Sequence, residues 1–395
     1  MALFPYQPNG LIPVRESRGY LTDLMQAKSG KEQRRQLRGW PRRSVTFSFA
    51  LEDLTSVQAL QATIYRLQGV EVTVPLWQYA SPLTAAAAAG AGNVYASYSD
   101  RPFYAGGTVA LWASLSRYES LTASSFSASG GEHAVLSGTV SAWTDYPATS
   151  AVLMPAEAGW IEGPLSVVRV GQFYEATLTF RLRSQALTFI QGSDTTATLS
   201  TVPDGAGDPA DVFDRPVVFL GGETGATYVD LSTDSPASVR RVFYPAYTFS
   251  GILALLTFLD QRRGRAVPFY LPTWDQDMTL WDNHASGESE LRINAIGYTD
   301  GMFPLDASRR HIAIFKDGTI YSSHKIMDVL YNPGDTLEYL TIDPVLPQNY
   351  AAANYSICFL RWSRLESDSV DISFPGFGIA DCDLQVREIP IEAAA

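Results

Sequence analysis

The sequence predicts a mainly β (α+β) protein, a tandem duplication of an antiparallel β module in which each copy carries one covering helix. Composition points there first: thirty glycines, twenty-three prolines and abundant Thr, Val, Tyr and Phe favour strands and turns over helices. The other two observations are a helical stripe leading into a strand at Thr248–Trp274 and an earlier stretch with the same parts in the same order.

In the later stretch, Ile252, Leu255, Leu256 and Leu259 recur at helical spacing, and Leu253 and Phe258 widen the stripe. Ser250 is placed to cap the start, Arg262 and Arg263 suit the negative end, and Gly264 stops the helix. Ala266 to Leu271 then reads as a buried strand running into Pro272, Thr273 and Trp274. The earlier stretch begins with a strand at Val45 to Ala50. A stripe of Val57, Leu60, Ile64 and Leu67 follows, Gly69 ends it, and Val70 to Val74 leads into Pro75, Leu76 and Trp77.

Other pairs recur in the same order. Arg34 and Arg35 with Trp40-Pro41 are matched to Arg240 and Arg241 with Tyr244-Pro245, both expected ahead of the first strand. Tyr98 to Phe103 is answered by Tyr298 to Phe303, and Trp112 with Tyr118 and Ser120 by Phe315 with Tyr321 and Ser323. Alternating strands at Tyr174 to Leu182 and Asp381 to Arg387 close the two halves. Each module is then about 190 residues, an ordinary domain size. The expected division is a first module at 1–190 with a basic N-terminal arm, a linker at 191–214, and a second module at 215–395. Pro75, Trp77, Pro272, Trp274, Trp112 and Phe315 are the repeat-equivalent structural residues.

With 46% hydrophobic and 18% charged residues, the chain can bury two sizeable cores. The formal charge of -12 opposes coating nucleic acid, though not letting it pass. Cys358 and Cys382 sit on apolar or alternating runs and are expected as buried free thiols. Met1 to Pro13 lacks the pattern of a secretory signal, and no window approaches the roughly 20 apolar residues of a membrane span. Synthesis and assembly in a cytoplasm are expected.

Pro5 to Pro41 is polar with little apolar periodicity. Its basic run Lys28 to Arg43 is either a solvated arm or hairpin, or an arm that docks on an acidic neighbour, the obvious one being another copy of the chain. Arg34, Arg35, Arg38, Arg42 and Arg43 are therefore the candidate subunit-interface residues. Removing everything before Trp40 is expected to weaken assembly and leave each module folded. Thr84 to Asn93 links the helical unit to strands beginning near Tyr95, Thr139 to Trp143 reads as strand, Ser124 to Gly131 as a loop, and Pro216 to Leu220 as strand.

No catalytic residues are expected. Asp275, Asp277, Asp282, His284 and Glu288 cluster after Trp274, but their spacing fits no calcium or zinc motif, and the stretch after Trp77 has no acid. A polar surface loop is the expectation. His133, His311 and His324 lie far apart, and no nucleophile elbow, phosphate loop or CxxC motif occurs. The aromatic residues are assigned to core or subunit packing.

Phe258 to Trp274, with its counterpart Arg66 to Tyr79 and the closing runs Arg361 to Phe374 and Leu384 to Pro390, resembles the distal tail and hub proteins of long-tailed bacteriophages and related gene transfer agents. The resemblance covers the helical units and C-terminal strands, and implies a tail-tube-like module and a structural role in the virion. Such modules form a ring at the tail tip that continues the tail tube, joins it to the baseplate or receptor-binding parts, and passes DNA through its lumen without specific binding. The implied partners are further copies of the chain, the tail tube protein, and hub and other tail-tip proteins. Two modules per chain let a trimer present six similar positions, so a trimer with pseudo-sixfold symmetry is expected ahead of a hexamer. Some hub proteins of this group hold an iron-sulfur cluster on four cysteines; with two, this chain is expected to carry no cofactor and to take the distal tail position. The alternatives are a carbohydrate-binding or depolymerising tail component contacting the host surface, with an aromatic groove near Trp274 and Trp281, and a ring of a bacterial secretion or contractile-injection apparatus.

Overall fold

Strands dominate the computed structural model, which describes residues 2–27, 31–141, 145–183, 198–204, 211–214, 217–221, 227–231, 237–304, 307–334 and 336–389. The first half begins with β1 (Ala2–Leu3), β2 (Val14–Gly19) and a hairpin of β3 (Thr22–Gln26) and β4 (Glu32–Gln36). Then come β5 (Arg42–Leu51), α1 (Leu54–Leu67), β6 (Val72–Pro75), β7 (Ser81–Pro82) and β8 (Asn93–Tyr95). The half closes with β9 (Thr108–Ser114), β10 (Arg117–Ser127), β11 (His133–Leu136), β12 (Val152–Val170) and β13 (Phe173–Leu182). Its strands pair β5-β13-β12-β6 under α1, and β12 also leads a second run, β12-β9-β10-β11-β8.

The second half opens with β14 (Asp211–Asp214), the hairpin β15 (Val217–Gly221) and β16 (Thr227–Leu231), β17 (Ala237–Ala246), α2 (Phe249–Arg262) and β18 (Phe269–Pro272). It continues with β19 (Glu290–Asn294), the short α3 (Tyr298–Gly301), β20 (His311–Lys316), β21 (Thr319–Asn332) and β22 (Leu337–Asp343). The last strands are β23 (Ser356–Leu365), β24 (Ser369–Gly376) and β25 (Ile379–Glu388). Here the pairing is β17-β25-β23-β18 under α2, and β23-β20-β21-β22-β19. Strand for strand, the order matches that of the first half.

Both helices form where the apolar spacing places them. In α1, Val57, Leu60, Ile64 and Leu67 are the buried residues, Asp53 caps the start by accepting from the Ser56 amide at 2.7 Å, and Gly69 follows with φ 77°. In α2, Ile252, Leu256, Phe258 and Leu259 are buried. Its cap is Thr248 rather than Ser250: the Thr248 hydroxyl accepts from the Gly251 amide at 3.0 Å, leaving Ser250 inside the first turn. Arg262 is fully buried, donating to the Pro268 carbonyl at 3.0 Å, so it packs instead of dressing an exposed helix end. The strand after α2 begins at Phe269, later than the apolar run suggests.

The left-handed cap of α2 is Arg263, with φ 54°, rather than Gly264; Gly264 follows with φ 68°, and a Cβ there would press on the Asp368 carboxylate and approach Tyr20 Cβ to 2.9 Å. Positive φ and lack of space act together, so Gly264→Ala is expected to lower stability by about 1–3 kcal/mol. A urea denaturation midpoint checks it.

Three expectations about strands change. Arg240, Arg241, Tyr244 and Pro245 lie inside β17, whose partner β25 pairs along its length, so they do not precede the first strand as Arg34, Arg35 and Trp40-Pro41 do. Ser124 to Ser127 belongs to β10, and the turn begins after it. Thr139 to Ser141 forms no strand, while Trp143 lies outside the described residues. Of the expected linker, 191–197 and 205–210 lie outside the described residues; Leu199 is buried, its amide bonded to the Tyr270 carbonyl, and 211–214 is β14, paired with β17.

One apolar core runs through both halves, joining α1, β5 and β13 to α2, β24 and β25. Two smaller cores fill the second strand runs, around Leu111 and Leu153 in the first half and around Ile314 and Leu340 in the other. The 1–190 and 215–395 parts thus share a sheet and a main core. No helix among the described residues is long and apolar enough to cross a membrane.

Candidate functional site: the seam between the halves

β2 is the strand on which the halves meet. One edge pairs antiparallel with β5 of the first half, the other with β24 of the second, so the sheet continues from one half into the other. Alternation sends Val14, Glu16, Arg18 and Tyr20 inward and leaves Arg15 and Ser17 outward.

Beneath the seam lies a buried ionic network. Arg18 donates to Asp260 of α2 at 2.6 Å and to Glu16 at 3.1 Å. Arg43 of β5 donates to Glu16 at 2.9 Å and to Glu157 of β12 at 2.7 Å. Gln78 donates to the second Glu16 oxygen at 3.3 Å, and the Tyr20 hydroxyl donates to Asp260 at 2.5 Å. Burial alone would raise the Glu16 carboxyl; the nearby guanidinium groups of Arg43 and Arg18 outweigh it and hold the group at about 2. Burial raises the Tyr20 phenol and the adjacent Asp260 carboxylate raises it further, so it remains a donor. Closely paired ions of this kind do little for net stability as a set, but each depends on its partners.

The hairpin β3-β4 straps the seam from outside. Arg364 of β23 grips Glu32 through two bonds of 2.8 and 2.9 Å, both side chains nearly covered. Arg263 donates to Gln36 at 2.7 Å, and Asp368 accepts from the Thr22 amide and hydroxyl at 2.8 and 2.9 Å. The hairpin thus docks on the chain's own second half, and its Glu32–Arg364 contact sets an acid of the arm on an arginine, the reverse of the expected sign. Arg43, expected at a subunit interface, is closed inside the first half by Glu16 and Glu157 and cannot reach another subunit. Arg38 donates to the Gly19 carbonyl at 2.9 Å, Arg34 sits 3.5 Å from Glu32, and Arg35 and Arg42 are exposed. Lys28 lies outside the described residues.

Above the seam, the outer sheet face forms an open concavity of about 840 Å³. Ser17, Thr46, Ser369 and Ser373 supply hydroxyls, and two arginines, Arg15 and Arg241, stand against three aspartates, Asp371, Asp381 and Asp383. Arg241 is bound by Asp383. Burial pushes the Asp381 carboxyl upward from its ordinary range.

The residues expected to be repeat-equivalent lie as follows. Pro75 and Pro272 end β6 and β18, paired with Ala156 of β12 and Leu360 of β23. Trp77 meets Trp112 edge-on at 5.1 Å between ring centres, and Trp274 meets Phe315 edge-on at 5.8 Å. Glu132 accepts from the Tyr98 amide at 2.9 Å, and Glu338 from the Thr299 amide at 2.7 Å, so a glutamate holds the loop in each half.

The acids after Trp274 are occupied structurally. Asp277 accepts from the Thr273 hydroxyl and, at 2.8 Å, from the Phe359 amide. His284 is buried, its Nδ1 bonded to Glu288 at 2.7 Å and its Nε2 accepting from the Arg292 amide at 3.2 Å, so both ring nitrogens are engaged. Trp281 is exposed, and among the described residues no ring contact joins it to Trp274. Cys358 and Cys382 are buried and free; burial pushes Cys358 up to about 12 and Cys382 higher. Among the described residues no three His, Cys, Asp or Glu side chains converge to hold a metal.

Sequence reasoning missed Glu16, Arg18, Glu157 and Asp260. The available signal was the alternation Val14-Glu16-Arg18-Tyr20, hidden because two of the inward residues are charged. No protein-family model matches the chain, and no curated protein matches it.

Proposed function

We propose that the chain is a tandem duplication of one tail-tube-like module and that it builds a structural ring at the tail tip of a long-tailed bacteriophage or gene transfer agent, in the distal tail position. The ring continues the tail tube and joins it to hub, baseplate or receptor-binding parts. The observation that carries this reading is the matched pairing order of the halves, fused side by side through β2 into one sheet. Fusing two such modules lets three chains present six similar positions. The resemblance of Phe258 to Trp274 and Arg66 to Tyr79 to tail-tip proteins supports the virion setting.

The polar concave face suits a lumen wall. Its hydroxyls and largely balanced charges give passing DNA no basic track, in keeping with the net charge of -12. Assembly of this kind needs no catalytic group.

Light scattering coupled to size exclusion, followed by electron-microscope class averages, tests the proposal. Three copies in a ring of six similar lobes are expected. A chain that stays monomeric at every concentration counts against the ring and directs the next experiment to a glycan screen around Trp281.

A further inference from the structure

Between the segment 7–14 and the turn that joins β24 to β25 lies a smaller hollow, of about 130 Å³. Pro8, Ile12, Val14, Phe374, Pro375 and Phe377 give it apolar walls. Among the described residues no charged side chain lines it, in a chain whose net charge is -12. Leu11, between the lining residues Gly10 and Ile12, is 91% exposed, and Phe377 is 66% exposed. Both the segment and the turn thus hold a large apolar side chain out to water beside the hollow.

Trp77 and Gln78 complete the lining, each more than nine-tenths buried. Among the described residues, neither the Trp77 indole N–H nor the Gln78 side-chain carbonyl has a hydrogen-bond partner. The Gln78 amide nitrogen donates to Glu16 at 3.3 Å, so the carbonyl is the atom left over. A buried donor and a buried acceptor without partners are each unfavourable; side by side on adjacent residues, they fit a ligand that brings an acceptor and a donor together.

The neighbouring tryptophan shows which ligand that is. Trp112 meets Trp77 edge-on at 5.1 Å, and its own indole N–H donates at 2.7 Å to the carbonyl of Pro5, just ahead of the segment that lines the hollow. One indole of the pair is therefore capped by backbone next to a proline, and the other is not. A peptide group carries one acceptor and one donor, the complement of Trp77 and Gln78. A sugar ring would set several hydroxyls against proline, isoleucine, valine and phenylalanine with nothing to bond, and a charged ligand would meet no opposite charge.

We infer that the hollow is a binding site for an extended, uncharged peptide segment of a partner protein. A proline or small aliphatic side chain enters the apolar walls, a backbone carbonyl accepts from Trp77, and a backbone amide donates to Gln78. Recognition of proline-bearing segments by aromatic-lined grooves follows the same physics. The site goes beyond the ring reading, since it needs no second copy of the chain.

Saturation-transfer NMR on the full chain tests it, with the capped peptide acetyl-Ala-Pro-Ala-amide as probe. Transfer strongest at the proline ring is expected, with a Kd of about 1 mM, the affinity a probe of this size reaches. Trp77→Phe removes the N–H and keeps an aromatic ring, and Phe377→Ala trims an exposed wall. Each is expected to weaken the probe about fivefold, the worth of one such contact, with a cooperative melt showing that the variant folds. Should Trp77→Phe fail to fold, Phe377→Ala decides. Acetyl-Glu-Pro-Glu-amide and N-acetylglucosamine are expected to give no transfer at the same concentration. No transfer to the neutral peptide from folded chain, tighter binding of the sugar, or unchanged affinity in the folded variants overturns the inference. None of these outcomes touches the ring, which the copy number tests.

Discussion

Deleting residues 1–39 is expected to leave the chain unable to reach its native fold, not merely to loosen its assemblies. The deletion removes β2 from between β5 and β24, exposing two strand edges in the middle of the sheet. It also strips Arg43 of Glu16, Asp260 of Arg18 and Tyr20, and Arg364 of Glu32. Asp260 is then a buried charge left unmatched, at about 3–5 kcal/mol, while Arg43 and Arg364 keep Glu157 and Glu366; with the two opened strand edges added, the loss is a large part of the whole stability of an ordinary domain, about 5–15 kcal/mol. The expectation from the sequence, that such a truncation leaves both modules folded, is thereby replaced. Circular dichroism melting checks it: loss of the cooperative transition is the expected result, and an unchanged melt would show that β2 contributes nothing to the fold.

Asp260→Ala is the second large effect, expected at about 3–5 kcal/mol, because it leaves the fully buried Arg18 facing an empty place on α2. Adding Arg18→Met is expected to recover part of the loss, since an apolar pair avoids the desolvation of both ions. A double-mutant cycle by urea denaturation measures the coupling; additive losses would mean that the contact does not join the halves energetically. The same network sets the acid limit. The folded Glu16 carboxyl, at about 2, lies below its ordinary 4.5, so the folded state holds fewer protons. Its contribution, about 3 kcal/mol, is fully present above the ordinary value and is lost as pH falls from about 4.5 towards 2. Glu16→Gln should remove that part of the acid dependence.

Local spacing determined much of this protein. The stripes Val57-Leu60-Ile64-Leu67 and Ile252-Leu256-Leu259 specify the two helices because burial of one face needs only the helical period, and the strands at Tyr174 to Leu182 and Asp381 to Arg387 follow from alternation. The ring contacts of Trp77 with Trp112 and of Trp274 with Phe315 came only with the structure, because each joins residues well apart in the chain. Only the tertiary structure decided the seam. Residues 14–20 alternate as a strand should, but Glu16 and Arg18 occupy inward positions that apolar patterning reads as solvent. What makes their burial affordable is Asp260, on a helix hundreds of positions later in the chain, together with Arg43 and Glu157. For the same reason the sequence offered Arg43 to a neighbour, whereas the fold closes it inside. A charge carries no mark of its partner in the local sequence, and its side is settled only when distant strands bring the opposite charge within hydrogen-bonding distance.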